Sequence, residues 1–243
     1  MSDIEWQGSS ELQPENALIG DFCREHGLDW RSLPGSSLPL VFIDRRALEA
    51  LHEFLGHDLR REHGGVLVGR PYYDAGMNRY FVVIQAAIPA QETEGSPVHL
   101  QFTSETWAYI SGIIEEAHPD KVIVGWYHSH PRLGVFMSAT DRATQSAFYH
   151  HPWSLAVVVD PVIQHTGWFA GAQCAELGRQ QVIPYEPMAA PRQAGVEVLD
   201  VSEYEEEYLA QYSLERLRWL LPLGMIFLSL FLFVWWLGKN RLA

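Results

Sequence analysis

Hydrophobic and polar residues alternate along the middle of the chain with two periods, one typical of strands and one typical of helices. Strands are predicted over residues 40–43, 65–73, 80–88, 121–127, 154–160 and 167–172. Amphipathic helical segments are predicted over residues 17–28, 46–59, 103–117 and 138–149. Strands and helices that interleave within one block of about 145 residues are typical of an α/β or α+β domain with a central sheet. We therefore predict one such domain over residues 38–190.

The segments that flank this block are polar. Residues 1–37 end in a loop signal, Leu-Pro-Gly-Ser-Ser, and are predicted to form a polar N-terminal extension. After Pro191 the chain becomes acidic, with Glu197, Asp200, Glu203, Glu205, Glu206 and Glu207 close together. We interpret residues 191–215 as a solvated acidic linker, since runs of like charge repel one another. A binding role for this run is the alternative.

The C-terminal segment has a different composition. Residues 219–237 carry no charge, and a helix of this length measures about 28 Å, close to the roughly 30 Å thickness of the hydrocarbon core of a bilayer. Tryptophans lie at both ends, as in the aromatic belts of membrane helices. We predict a transmembrane helix over residues 216–238 and a short basic tail over residues 239–243. The alternative is a buried core helix, which would normally show a polar face, whereas this segment shows only Ser229.

The placement of this helix predicts where the domain lies. The first twenty residues contain no apolar core of the length found in secretory signals. The basic residues on the two sides of the apolar segment balance, so they do not set its orientation. We expect a single-pass C-terminal anchor in a membrane, which we take to be the bacterial inner membrane, with the large N-terminal part in the cytoplasm.

The charge and the cysteines exclude some classes of protein. The chain has 17 Lys and Arg against 30 Asp and Glu, a net charge of −13, which argues against a nucleic-acid partner. Its two cysteines, Cys23 and Cys174, cannot form a four-cysteine zinc site or a disulfide framework. Two reduced thiols are the expected state, although one disulfide remains possible.

Candidate chemistry is concentrated after the strand at residues 121–127. His128 and His130 are two positions apart, so in an extended backbone both side chains point to the same face. Pro131 ends the strand, and Asp141 lies in the first turn of the next predicted helix. Two imidazoles and a carboxylate can bind one Zn²⁺ and leave its fourth position for water, as in catalytic zinc sites.

Each half of this pattern also has an ordinary explanation. A His-x-His pair is common on surfaces and in cores, and Ser138 and Asp141 could simply cap a helix. The combination is more specific, because it ends a strand and begins a helix in the right order. A second pair, His52 and His57, resembles a zinc-protease helix, but five positions separate its members by about 140° around a helix, so we reject it.

A zinc hydrolase also needs a group that transfers protons. Glu62 precedes the apolar strand at residues 65–73 and is the candidate general base. A solvated carboxylate is the alternative for Glu62 considered alone, and the nearby metal motif favours the catalytic interpretation.

Together these residues are similar to a known signature. Glu62, His128-x-His130-Pro131 and Ser138-x-x-Asp141 resemble the JAMM (MPN+, JAB-domain) metalloprotease motif without a mismatch, and the resemblance covers roughly residues 40–185. It implies a cytidine-deaminase-like α/β fold with a central mixed sheet flanked by helices. It also implies Zn²⁺ bound by the two histidines and the aspartate, water activated by the glutamate, and an oxyanion hydrogen-bonded by the serine.

The substrate implied by the resemblance is a peptide or isopeptide bond after the C-terminal Gly-Gly of ubiquitin or a ubiquitin-like protein. Relatives that cleave polyubiquitin carry an insertion with its own zinc ligands, but here residues 160–167 form only a short turn. The chain therefore resembles the compact prokaryotic members more closely. Precursor processing and deconjugation both remain open, and a non-catalytic MPN scaffold that docks a partner at the membrane is the alternative from another class.

Overall fold

The computed structural model describes residues 12–90 and 102–187, which are built around one mixed nine-stranded sheet. The strands are β1 (Glu15–Asn16), β2 (Leu40–Asp44), β3 (Gly64–Asp74), β4 (Arg79–Pro89), β5 (Val122–Ser129), β6 (Leu155–Asp160), β7 (His165–Ala170), β8 (Ala175–Leu177) and β9 (Val182–Tyr185). The helices are α1 (Ile19–Glu25), α2 (Arg45–His57), α3 (Ser104–Ala117) and α4 (Ala139–Phe148), with short 3-10 turns at Trp30–Ser32 and Arg179–Gln181.

The sheet combines antiparallel and parallel pairs. Its order is β8-β7-β6-β5-β3-β4-β2-β9, and β1 pairs with the far end of β3. β3 pairs antiparallel with both β4 and β5, whereas β5 and β6 run parallel. The predicted mixed α/β architecture is confirmed, and this arrangement fits a JAB/MPN domain.

Helices cover both faces of the sheet. Alternation along β2 places Val41 and Ile43 in a core cluster with α2, and Phe42 in a second cluster with α1 on the opposite face. α3 packs through Ile110 over β3, on the face opposite α2. Apolar side chains of these three helices therefore bury much of both faces, and such burial is the main source of stability for a sheet.

Part of the predicted N-terminal extension belongs to this packed structure. Ile19 and Cys23 of α1 are fully buried against the sheet. The backbone N–H of Ile19 donates to Asp74 Oδ2 at 2.8 Å, which ties α1 to the end of β3. Cys174 is also buried, and both cysteines are free thiols, as expected.

A bulge in β5 sets which of its side chains lie on the same face as His128. Leu67 pairs with Gly125 and Val68 pairs with Ile123, so Val124 is the extra residue. From Trp126 onward the alternation is regular. The side chains of residues 126 and 128 therefore share one face, and that of Tyr127 lies in the core on the other face with α2.

The element boundaries agree with the sequence to within a few residues, and the additional short strands β1, β8 and β9 were not predicted. Within residues 12–90 and 102–187, no helix combines the length and apolar character that crossing a membrane requires. The predicted linker at residues 191–215, the helix at residues 216–238 and the tail at residues 239–243 lie outside the described residues.

Candidate metal centre

The three predicted ligands lie together where β5 ends and α4 begins. His128 and His130 place their Nε2 atoms 3.1 Å apart. Asp141 Oδ1 lies 3.4 Å from His128 Nε2, and Asp141 Oδ2 lies 3.6 Å from His130 Nε2. All three residues are buried, and their ligand atoms form a group that could hold a metal ion.

These distances fit a tetrahedral ion. Ligand atoms that bind one Zn²⁺ at about 2.0–2.1 Å with tetrahedral angles lie about 3.3 Å from one another. In addition, the Nδ1 atoms of His128 and His130 are buried without a hydrogen-bond partner in the part of the chain that the structure describes. With a cation bound at Nε2, each neutral imidazole would carry its one proton on Nδ1. Three electron-pair donors converging in a buried site are suited to a divalent cation, and two nitrogens with one oxygen suit zinc.

The protonation states also favour metal binding. Burial, together with the nearby charge of His128, lowers the pKa of His130 to about 4. Burial alone would raise the pKa of Asp141, but the hydrogen bond and charge of His128 and the hydrogen bonds from Ser138 hold it well below its usual range. Near neutral pH, His130 is therefore neutral and Asp141 ionised, which are the forms that bind metals.

Glu62 lies beside these ligands. Its side chain is buried, and its Oε1 is 3.7 Å from His130 Nε2. Burial raises the pKa of Glu62 to about 7, while the charge of His128 opposes that shift and the charge of Asp141 adds to it. A carboxyl group that ionises near neutral pH can both accept and donate a proton during turnover, so the environment suits the predicted base.

Ser129 joins the segment that carries Glu62 to the segment that carries the histidines. Its N–H donates to the carbonyl oxygen of His63 at 2.8 Å, and its Oγ accepts from the N–H of His63 at 3.0 Å. These bonds extend the β3–β5 pairing by one residue before the start of β3. The candidate base and the candidate ligands are therefore held by one continuous ladder.

Ser138 is the N-cap residue of α4. Its Oγ accepts from the N–H of Asp141 at 3.2 Å, and Asp141 Oδ2 accepts from the N–H of Ser138 at 2.7 Å. The capping role considered from the sequence is therefore present. It is compatible with catalysis, because a hydroxyl that accepts in the cap still has its own proton to donate. The cap also fixes the Asp141 carboxylate that faces the histidines.

Asp160, at the end of β6, was not singled out as a site residue. Its buried carboxylate accepts from the N–H groups of Arg132 at 3.2 Å and Gly134 at 2.9 Å, in the loop after His130. It also accepts from the N–H of Val162 at 3.0 Å, in the short turn that leads to β7. The carboxylate therefore fastens the loop between the histidines and Ser138 to the sheet.

The rejected histidine pair lies away from the chemistry. His52 and His57 are both exposed on α2, whose buried face is formed by Ala47, Leu51 and Leu55. This agrees with the rejection of this pair as a zinc-protease helix.

Comparison with known proteins points to the same region of the chain. Residues 44–171 match the family described as "Prokaryotic homologs of the JAB domain". COP9 signalosome complex subunit 5 of Eremothecium gossypii is 35% identical over 131 residues, which is 50% of this chain and 29% of that protein. The ubiquitin carboxyl-terminal hydrolase RPN11 of Saccharomyces cerevisiae is 33% identical over 75 residues, which is 30% of this chain and 24% of that protein.

A third relative has a different printed activity. The NAD(+) hydrolase TcpA of Theionarchaea archaeon is 36% identical over 98 residues, which is 40% of this chain and 26% of that protein. In all three cases the matched region is less than a third of the relative's length. What is shared is therefore a domain and not a whole protein.

Proposed function

This chain belongs to the family of prokaryotic homologs of the JAB domain, and on that premise we propose that it is a zinc-dependent isopeptidase or peptidase. The bond it cleaves follows the C-terminal Gly-Gly of a ubiquitin-like protein, and it acts at a membrane surface. The observation that carries this proposal is the position of Glu62, a buried carboxyl with a pKa raised to about 7, next to three converging ligand atoms.

Each side chain of the site has a role in this chemistry. His128, His130 and Asp141 would hold Zn²⁺, which would polarise the scissile carbonyl and make water more acidic. Glu62 takes a proton from the attacking water and passes it to the nitrogen of the leaving amine. The hydroxyl of Ser138 donates a hydrogen bond to the oxyanion that forms at the carbonyl carbon.

Two observations support a ubiquitin-like substrate of simple form. One relative is named a ubiquitin carboxyl-terminal hydrolase, and it is 33% identical to this chain over 75 residues. The turn between β6 and β7 contains only residues 161–164, so the segment between these strands carries no large insertion. We therefore favour compact conjugates or precursors over linkage-selective cleavage of chains.

The C-terminal sequence is the reason that we place this activity at a membrane. The uncharged residues 219–237 would anchor the protein in a bilayer, with residues 191–215 as spacer. The domain would then act on substrates at the cytoplasmic face of that membrane, which we take to be the bacterial inner membrane.

A non-catalytic scaffold at the membrane is the competing function. It would not need a buried carboxyl beside the ligand group, because a buried carboxyl without a catalytic or structural partner costs stability. Glu62 in this position therefore favours the enzyme.

The test uses two substitutions in the full-length protein. We expect Glu62→Gln to retain zinc and to lose turnover by at least about 100-fold, since general acid–base catalysis contributes about 10²–10⁴-fold. We expect His128→Ala to lose both zinc and turnover. The substrates are a ubiquitin-like protein with a linear extension after Gly-Gly and the same protein linked to a lysine, which separates processing from deconjugation. Equal turnover by Glu62→Gln and wild type would contradict the mechanism.

A further inference from the structure

Helix α4 carries one of the three candidate ligands but has almost no apolar contact with the sheet. Of its ten residues, only Asp141 and Gln145 are buried, and Phe148 is 56% exposed. A helix is usually placed by an apolar stripe that packs on its neighbours. In α4 both buried side chains are polar. Hydrogen bonds must therefore contribute more than apolar packing to the position of α4 on the sheet.

Gln145 makes those hydrogen bonds. It is 0% exposed and lies one helical turn after Asp141, on the same side of α4. The two protons of its Nε2 are shared among the carbonyl oxygens of Tyr149 at 3.0 Å, Ser154 at 3.3 Å and Gly171 at 3.4 Å. The amide thereby connects α4 to the residues immediately before β6 and after β7.

The remaining atom of this amide reaches the strand that carries the histidines. Gln145 Oε1 accepts from Trp126 Nε1 at 2.8 Å, in a buried bond. The indole of Trp126 stacks on the imidazole of His128, with ring centroids 4.6 Å apart and planes within 6°. A single chain of contacts therefore runs from Asp141 along α4 to Gln145, then through Trp126 to His128.

We propose that Trp126 and Gln145 are positioning residues that set the separation of Asp141 from His128 and His130 and so determine the affinity and geometry of the metal centre. This inference rests on the metal centre of the proposed function, although it is independent of the substrate. The capping box alone cannot supply this positioning, because its bonds join Ser138 and Asp141 within one element. The bond between Trp126 and Gln145 joins the two elements that supply the ligands.

The test compares two tryptophan substitutions in the full-length protein purified in detergent and freed of metal with a chelator. Trp126→Phe keeps an aromatic ring near His128 but removes the donor to Gln145. Trp153→Phe is the matched control, because Trp153 is also buried and stacks on a histidine, His151, at 4.8 Å and 5°. Trp153 packs in the cluster that contains α2, on the other face of the sheet.

Two properties are measured with the metal alone. Zinc affinity is obtained by competition with a coloured chelator, and the geometry of the site from the visible absorption of bound Co²⁺, which is stronger for tetrahedral than for six-coordinate ions. We expect Trp126→Phe to weaken zinc binding by about 10- to 100-fold, as loss of an outer-shell partner does, and to reduce the tetrahedral Co²⁺ absorption. We expect Trp153→Phe to leave both unchanged.

A measurement on the wild type keeps the inference testable if Trp126→Phe does not fold. If Trp126 and Gln145 favour the metal-binding geometry, then bound zinc must favour their hydrogen bond by the same factor. Exchange of the Trp126 indole proton with solvent should therefore slow by at least about tenfold when zinc is added, by the same reciprocity. Wild-type affinity in Trp126→Phe, an equal loss in both variants, or exchange unaffected by zinc would overturn the inference. A wild type that binds no zinc would overturn the metal centre itself.

Discussion

At the scale of single residues, the site depends on a carboxyl group kept in an environment that disfavours its charge. Glu62 is only 6% exposed, and burial raises its pKa to about 7. An ordinary glutamate would be a weaker base, and one buried without a neighbouring cation would stay protonated. Burial, opposed by the charge of His128, gives Glu62 a strength suited to proton transfer at neutral pH.

This environment has a cost in the metal-free protein that can be measured. The pKa of Glu62 is about 7 in the folded state and 4.5 ordinarily, so the folded protein binds the proton more tightly than the unfolded protein. The resulting stability is present below pH 4.5 and is lost as the pH rises through about 7. At pH 8 the buried carboxylate should lower the free energy of unfolding by on the order of 3 kcal/mol.

We therefore expect the metal-free Glu62→Gln variant to gain stability over the metal-free wild type as the pH rises from 5 to 8. Urea unfolding at both pH values measures the difference, and Glu176→Gln at an exposed position is the control. A difference between Glu62→Gln and wild type that is the same at both pH values would show that Glu62 is not held in this way.

At the scale of elements, the ligands are aligned by the close packing of β5 between β3 and β6. Gly125 lies in β5 directly before Trp126 and pairs with Leu155 of β6. A Cβ atom at residue 125 would lie 2.3 Å from the carbonyl oxygen of Leu155. Such a contact is too short for any side chain. The absence of a side chain at residue 125 lets β5 pair closely with β6 along the segment that leads to His128.

Gly125→Ala should therefore destabilise the fold by roughly 2–4 kcal/mol, since the neighbouring atom belongs to the backbone and cannot rotate away. Gly112→Ala is the matched control, because Gly112 is exposed in α3 and its added Cβ would meet nothing within 4 Å. That change should stabilise the protein by about 0.5–1 kcal/mol through helix propensity. Thermal unfolding of both variants measures the contrast, and equal effects would contradict the packing described for β5.

The elements and the candidate metal ligands can be predicted from local sequence patterns. The residues that hold the ligands in place cannot. Strand and helix periods place His128 and His130 at the end of β5 and Asp141 at the start of α4, and the structure brings these together as a group that could hold a metal ion. In the sequence there is only a weak indication that Trp126 and Gln145 support the site. Trp126 lies two positions before His128, and Gln145 lies four positions after Asp141, so each shares a face with a predicted ligand. Their contact joins residues 19 positions apart in different elements, so the hydrophobic periodicity of either element does not predict it.

The short strands are a second case of long-range pairing. β9 pairs with β2 across more than a hundred residues, and β1 adds only two residues to β3. A segment of two to four residues is too short to show a period. Helix α1 was foreseen as an amphipathic stretch, but its partner on the sheet depends on the alternation in β2 and β4.

At the scale of the whole molecule, the proposal joins a zinc peptidase domain to a membrane anchor. We expect the tagged full-length protein to sediment with membranes and to resist extraction by salt, because residues 216–238 would span the bilayer. The same protein without residues 214–243 should remain in the supernatant. Fractionation of cell lysates measures both, and a full-length chain found in the soluble fraction would refute the anchor while leaving the metal centre untouched.

Binding of a zinc ion by His128, His130 and Asp141 can be measured as the zinc content of the purified protein. Elemental analysis should find about one zinc per chain in the wild type, as expected for a single three-ligand site, and almost none in Asp141→Ala. Asp120→Ala, at an exposed position, should keep the wild-type content. Absence of zinc from the wild type after purification without chelators, or full retention of zinc in Asp141→Ala, would show that these three residues do not form a zinc site.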